Sequence, residues 1–299
     1  MLHRSVTTAL LLCMTIGFAK PTPVSATREG LRLKIATVLG VEKEIYVTQA
    51  GVKGSSSAEL DEHLAHILSA TFQNRAFLVR LAADVYIAVP FQSVRALSVD
   101  RDTFVVEPIH GNSVRGRCLS MLLSESGDRY ECMNLREARL LEPGTGLRPR
   151  SSPAESRRWE LETPNTPKRI WEVTEIAFAW PYYSTRGYVR GGTMRFDGRD
   201  TGFLLKLGAG ESDAAVRVNL QDYREVHFRA ADEKERAKTW SQMQATTVAP
   251  NGTTVSGGVG FETEGGRAFW RFEWLLTART GEGGNLLMLR LPTCRLRQL

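Results

Sequence analysis

The sequence predicts a mainly β protein: two related β-sandwich or small-barrel domains from an internal duplication, with short helical insertions. Three observations predict it. Short apolar runs alternate with period two, Gly-bearing turns separate them, and one signature recurs four times; such self-similarity marks tandem units. The signature is Phe or Leu, two variable residues, a mostly small or apolar residue, then Arg. Its copies end at Arg95, Arg139, Arg224 and Arg295, and begin at Phe91, Leu135, Leu220 and Leu291.

The chain opens with Met1-Leu2-His3-Arg4, an apolar stretch from Ala9 to Ala19, then Lys20 and Val24-Ser25-Ala26. A basic start, a short apolar core and small residues at the exit predict a signal peptide over 1–26, cleaved after Ala19 or Ala26. The apolar run is shorter than the roughly 20 residues that span a bilayer. The expected product is therefore a secreted or periplasmic protein without a transmembrane segment. Removing Arg4 and Lys20 lowers the formal charge from +6 to +4, too weak and dispersed an excess to point to nucleic acid.

The first predicted domain covers 27–142. Leu31, Leu33 and Ile35 alternate as a strand. Ser56 with Glu59 makes a capping box for a helix over about 57–73, and Leu60, Leu64, Ile67, Leu68 and Phe72 supply its apolar face. Val85, Ile87 and Val89 alternate again and lead into the first signature, after which His110-Gly111 offers a tight turn. Cys118 and Cys132 flank the polar turn Ser124-Glu125-Ser126-Gly127-Asp128. A hairpin there would set them face to face, and an oxidising compartment would then join them as a disulfide. Cys294 has no evident partner and reads as a small buried position.

Pro143, Pro149, Pro153, Pro164 and Pro167 interrupt both regular periods and predict a Pro/Arg-rich linker over 143–169. The second domain, 170–299, follows the first in order. Phe77–Leu81 matches Phe203–Leu207, Val89–Val99 matches Val218–Phe228, and His110–Gly116 matches Asn251–Gly257. A weaker helix is expected from about Asp232 to Gln244, with Ala237, Trp240 and Met243 on one side. Trp270, Phe272 and Trp274 share one face of a strand and are expected in the core.

Within the signature, the spacing of Phe91, Val94 and Leu97 predicts a strand that ends in one tight helical turn and re-enters the sheet. The turn would plug one end of each β unit. Arg95, Arg139, Arg224 and Arg295 would stand at the rim as a structural corner motif, their stems covering apolar surface. The unit is similar in shape to those of small SH3-like barrels, which implies nothing about a ligand. The functional alternative, a set of anion-binding guanidinium groups, requires arginines on separate corners to converge.

Catalytic signals are weak. His110 with Cys118 or Cys132 suggests a cysteine peptidase, but Asn251-Gly252 occupies the matching place of His110-Gly111, and a disulfide would consume both thiols. His63 and His66 do not share an inward helix face with Asp61 and Glu62. The glycine runs lack a phosphate-binding ending, and no His-Glu-x-x-His or paired-Cys motif occurs, so no catalytic residue, metal or cofactor is expected. Trp180, Tyr182, Tyr183 and Tyr188 lie in a Pro- and Gly-bearing segment and are candidate surface rings for stacking on a sugar or gripping a partner. The expectation is an exported, non-enzymatic binding or scaffold protein with an unknown protein or glycan partner. The alternative is a carbohydrate-binding or cell-wall-associated protein that uses those four rings.

Overall fold

The computed structural model describes residues 30–53, 58–100, 103–142, 158–163, 169–183, 189–195, 203–207, 215–262, 268–270, 275–280, 284–290 and 294–299. For 58–61, 178–183, 189–195, 261–262, 268–269 and 290 it describes the backbone alone. The expected signal peptide and the cap residue Ser56 lie outside the described residues.

Strands fill the first part of the chain, some alternating buried and exposed positions as in Leu31–Thr37 and one, Val85–Pro90, buried throughout. They are β1 (Leu31–Thr37), β2 (Glu42–Val52), β3 (Ala76–Ala82), β4 (Val85–Pro90), β5 (Val94–Asp100), β6 (Thr103–Pro108), β7 (Val114–Cys118), β8 (Ser120–Ser124), β9 (Arg129–Glu131) and β10 (Leu135–Leu140). Helix α1 (Ala58–Phe72) separates β2 from β3, and single 3-10 turns at Phe91–Ser93 and Cys132–Asn134 precede β5 and β10. The second part begins with β11 (Trp159–Thr163), β12 (Arg169–Tyr183), β13 (Val189–Arg195), β14 (Phe203–Lys206), β15 (Ala215–Val218) and β16 (Glu225–Ala230), with a 3-10 turn at Leu220–Asp222. After α2 (Glu233–Thr239) come β17 (Met243–Val248), β18 (Thr254–Glu262), β19 (Ala268–Phe269), β20 (Leu275–Thr280), β21 (Asn285–Arg290) and β22 (Cys294–Gln298). The strands pair antiparallel in two sheets.

Pairing crosses the sequence. One five-stranded set runs β10-β1-β2-β8-β9, and the next runs β5-β6-β7-β3-β4. The first set joins β1 and β2 to β8, β9 and β10 across the chain, and the second is the intervening run β3 to β7. The second part shows the same order, with β22-β11-β12-β20-β21 and β16-β17-β18-β14-β15.

The chain passes between the first two sets at Leu119, the only residue between β7 and β8. Its N–H donates to the Leu78 carbonyl at 2.8 Å, and its own carbonyl accepts from Lys53 N–H at 2.7 Å. Leu119 is fully buried, and Leu78 N–H donates to the buried Ser120 hydroxyl at 2.8 Å. Close approach of β7 to β3 depends on Gly116, where a Cβ would stand 2.2 Å from the Arg80 carbonyl oxygen. Gly257, its match in the sequence alignment, presses in the same way on the Lys206 carbonyl, at 2.5 Å.

The two parts share a core. Edge strand β4 pairs with β21, Val85 opposite Leu289 and Ile87 opposite Leu287. Helix α1 lays Leu64, Ile67 and Leu68 over this seam, against Leu78, Tyr86, Leu275, Leu286 and Met288. That packing draws His63 inside as well, 6% exposed.

Several expectations are corrected. The segment expected as linker contains β11, whose Trp159 and Leu161 are buried because the strand lies between β12 and β22. Helix α2 is shorter than its apolar pattern suggested. Trp240 adopts the left-handed conformation, φ 60, and caps the helix, so Met243 falls in β17. The aromatic segment is strand for most of its length. Trp180, Tyr182 and Tyr183 belong to β12 and pair with Gly192, Arg190 and Val189 of β13. The side chains of these three, the whole of Tyr188, and Phe272 and Trp274 lie outside the described residues.

The disulfide is absent. Cys118 and Cys132 are buried free thiols. They lie just beyond the open end of the β8–β9 hairpin, where Met121 faces Glu131, and remain separate thiols. The second corner is also shifted. Its 3-10 turn is Cys132–Asn134, capped by Leu135, as Phe91–Ser93 is capped by Val94. The residue equivalent to Arg95 is therefore Arg136, and Arg139 stands one strand turn further along β10. Arg224 holds the same place after the turn at Leu220–Asp222.

Candidate functional site

Strands β5 and β10 close their respective five-stranded sets and lie side by side without a backbone ladder between them. A groove of about 750 Å³ follows this seam, lined by Arg95, Leu97 and Ser98 from β5 and by Arg136, Glu137 and Arg139 from β10. Two of the sequence-selected arginines, Arg95 and Arg139, thus converge here with Arg136; Arg224 and Arg295 do not.

Local structure places each guanidinium on the exposed side. The register of β5 against β6 slips between Val94 and Ala96, which leaves Arg95 on a bulge while Val94 and Leu97 stay buried. In β10, Leu135 and Ala138 face the core, so Arg136 and Arg139 face solvent. Their charges are only loosely answered. Arg95 Nη2 lies 3.3 Å from Glu107 Oε2, with the side chains 63% and 43% exposed. Arg136 reaches Glu42 at 3.9 Å. Exposed pairs of this kind contribute about 0–1 kcal/mol. Arg139 has no ion pair among the described residues and sits directly opposite Lys34 of β1, a like-charge cross-strand pair that costs stability.

The corresponding place in the second part is closed. There β16 and β22 form a ladder, Val226 opposite Leu296 and His227 opposite Arg295. The Glu225 side chain is only 10% exposed. Arg295 grips it with both arms, Nη2 donating to Oε2 at 2.8 Å and Nε lying 2.7 Å from Oε1. His227 Nε2 adds a further contact to Oε1. The Arg295 hydrogen bond, then that of His227, hold the Glu225 carboxyl below the usual carboxylate range against its burial. Arg95 and Arg136 are followed by Ala96 and Glu137, so the first part lacks this internal counter-ion on β5. Nothing matches this chain among family models, curated proteins or solved structures.

A second cavity, of about 370 Å³, is lined by Val99, Phe104, Arg117, Cys118, Cys132, Met133 and Leu135. Burial, then the Cys118 contact, push the Cys132 thiol well above its ordinary range, which works against a thiolate nucleophile. His110 lies in the β6–β7 turn beside Gly111, whose φ is 92. Among the described residues no three or more His, Cys, Asp and Glu side chains gather as a metal site. His63 and His66 do not form one either; burial, then the His66 charge, lower His63 to about 4, and its Nε2 has no partner.

Sequence reasoning missed Arg136 and Glu225. Arg136 could have been found by counting from the turn at Cys132, but Cys in place of Phe or Leu hid the copy. Glu225 carried no signal, since its role depends on a strand 70 residues away.

Proposed function

We propose that this chain is a non-enzymatic binding or scaffold protein built from duplicated β units, and that its β5–β10 groove takes an extended acidic segment of a partner protein. The single observation that carries this reading is the convergence of Arg95, Arg136 and Arg139 on one open seam whose counterpart is neutralised internally by Glu225. Charge opposed to like charge at Arg139 and Lys34 costs the fold stability, and an external anion would offset it. The shared order of the two five-stranded sets in each part and the shared close approach at Gly116 and Gly257 support the duplication. The basic leader pattern at the N-terminus supports export, to the periplasm or outside the cell. The glycan reading through Trp180, Tyr182, Tyr183 and Tyr188 rests on side chains outside the described residues.

The test is fluorescence anisotropy with a labelled oligo-glutamate peptide, titrated with wild-type protein and with the Arg95→Ala/Arg136→Ala/Arg139→Ala variant. Wild type should bind with marked salt dependence, and the triple variant should bind at least about tenfold more weakly. Arg224→Ala, outside the groove, should match wild type. Equal binding by the triple variant, or no binding by wild type at low salt, overturns the proposal.

A further inference from the structure

The cavity between the first two strand sets brings together three sulfur-bearing side chains from separate parts of the chain. Cys118 arrives at the end of β7, while Cys132 and Met133 come from the 3-10 turn before β10. All three line the same space, and Cys118 and Cys132 are buried there as free thiols. No carboxylate, imidazole or amide lines it; the other neighbours are Val99, Phe104, Leu135 and the exposed Arg117.

We infer that this cavity is a binding site for a soft monovalent cation of the copper(I) class, held by Cys118 and Cys132 as thiolates with the Met133 thioether as third ligand. Soft thiolate and thioether donors select copper(I) over hard cations. A structural zinc site needs four ligands of the nitrogen, sulfur or oxygen type, and the lining offers three. The charge balance is simple. Each thiol loses its proton to solvent as the metal enters, so two protons leave and two thiolates with one monovalent cation carry one net negative charge. Arg117 lies on the same cavity to meet it.

The position adds a consequence for the fold. Cys118 immediately precedes Leu119, the residue at which the chain crosses from one strand set to the other, and Cys132 belongs to the opposite set. A bound cation would tie the two sets together across their crossing point.

The test is anaerobic titration of the full chain with copper(I), followed by competition with the chelator bicinchoninate. Wild type and Cys294→Ala should each retain one equivalent. Cys118→Ser and Cys132→Ser should retain none, and Met133→Leu should bind at least about tenfold more weakly. Zinc(II) should not be retained by any of them. Because the serine variants can lose stability, X-ray absorption at the copper edge of the wild-type complex gives an independent reading. A first shell of sulfur scatterers is expected. A shell of nitrogen and oxygen only, retention by the double variant Cys118→Ser/Cys132→Ser equal to that of wild type, or no retention by wild type overturns the inference.

Discussion

Replacing Gly116 by Ala should destabilise the protein through one contact. The added Cβ would lie 2.2 Å from the Arg80 carbonyl oxygen and 2.9 Å from a Val79 methyl carbon, so reaching even 3.0 Å from that oxygen needs a retreat of about 0.8 Å. The retreat occurs where β7 meets β3, at Val79 opposite Cys118 and Arg80 opposite Arg117. Overpacking costs about 1–3 kcal/mol, and a weakened strand hydrogen bond adds about 1 kcal/mol. The stiffer unfolded chain offsets about 0.4–1 kcal/mol of this. A net loss of about 2 kcal/mol corresponds to a Tm lower by about 4–8 °C for a chain of this size. Gly51→Ala is the control. Its Cβ would meet nothing closer than the Met121 carbonyl oxygen at 3.9 Å, so only the unfolded-state term operates and stability should rise by about 0.4–1 kcal/mol. Thermal and urea unfolding of both variants distinguishes the terms. If Gly116→Ala leaves the midpoint unchanged or raises it, the close approach of β7 to β3 is wrong.

Leu119→Ala should cost about 2–5 kcal/mol, because a fully buried leucine at the crossing between strand sets leaves a cavity that the hydrogen-bonded backbone on both sides cannot close; urea unfolding with a loss under 1 kcal/mol would contradict that. Burial lowers His63 from 6.5 to about 4, so the unfolded chain holds the proton more readily, and this contribution is full above pH 6.5 and fades as pH falls toward 4. His63→Leu should flatten the stability profile over that window, and an unchanged slope would show that the imidazole is solvated. Arg229 and the Asp232 backbone N–H hold Glu235 down to about 2 from 4.5, so its contribution is present above pH 4.5 and lost as pH falls through 2. Glu235→Gln can keep the capping bond to Asp232 and should reduce the acid sensitivity of α2, read by circular dichroism between pH 5 and pH 2; identical acid transitions would refute the pairing.

Local chemistry was legible residue by residue. Alternation at Leu31, Leu33 and Ile35 marks β1, and the apolar stripe at Leu64, Ile67 and Leu68 marks the buried face of α1. Glycine at 111 and 252 marks turns with positive φ. The contact of Gly116 and Gly257 with strand carbonyls carried no such signal: the alignment matched the two positions but not what they press on. The groove was half legible. Arg95 follows the 3-10 turn at Phe91–Ser93, but the apolar-to-Arg pattern selected Arg139 where the turn geometry selects Arg136.

By itself, then, the sequence marked segments with a strong period or a turn glycine, such as β1, α1 and the turns at Gly111 and Gly252, because those preferences reside in neighbouring residues, and it missed β11 and the strand over Trp180 to Tyr183. Only the tertiary structure decided which strands meet. A period-two pattern says that one face is buried and carries nothing about the partner across the ladder, so the crossed pairing at Leu119 and the β4–β21 seam had no local signal. The same holds for the site. Arg95 and Arg139 face one groove, and Cys118 and Cys132 line one cavity as free thiols, because strands far apart in sequence are packed side by side, and that adjacency is set by the whole core rather than by any single residue.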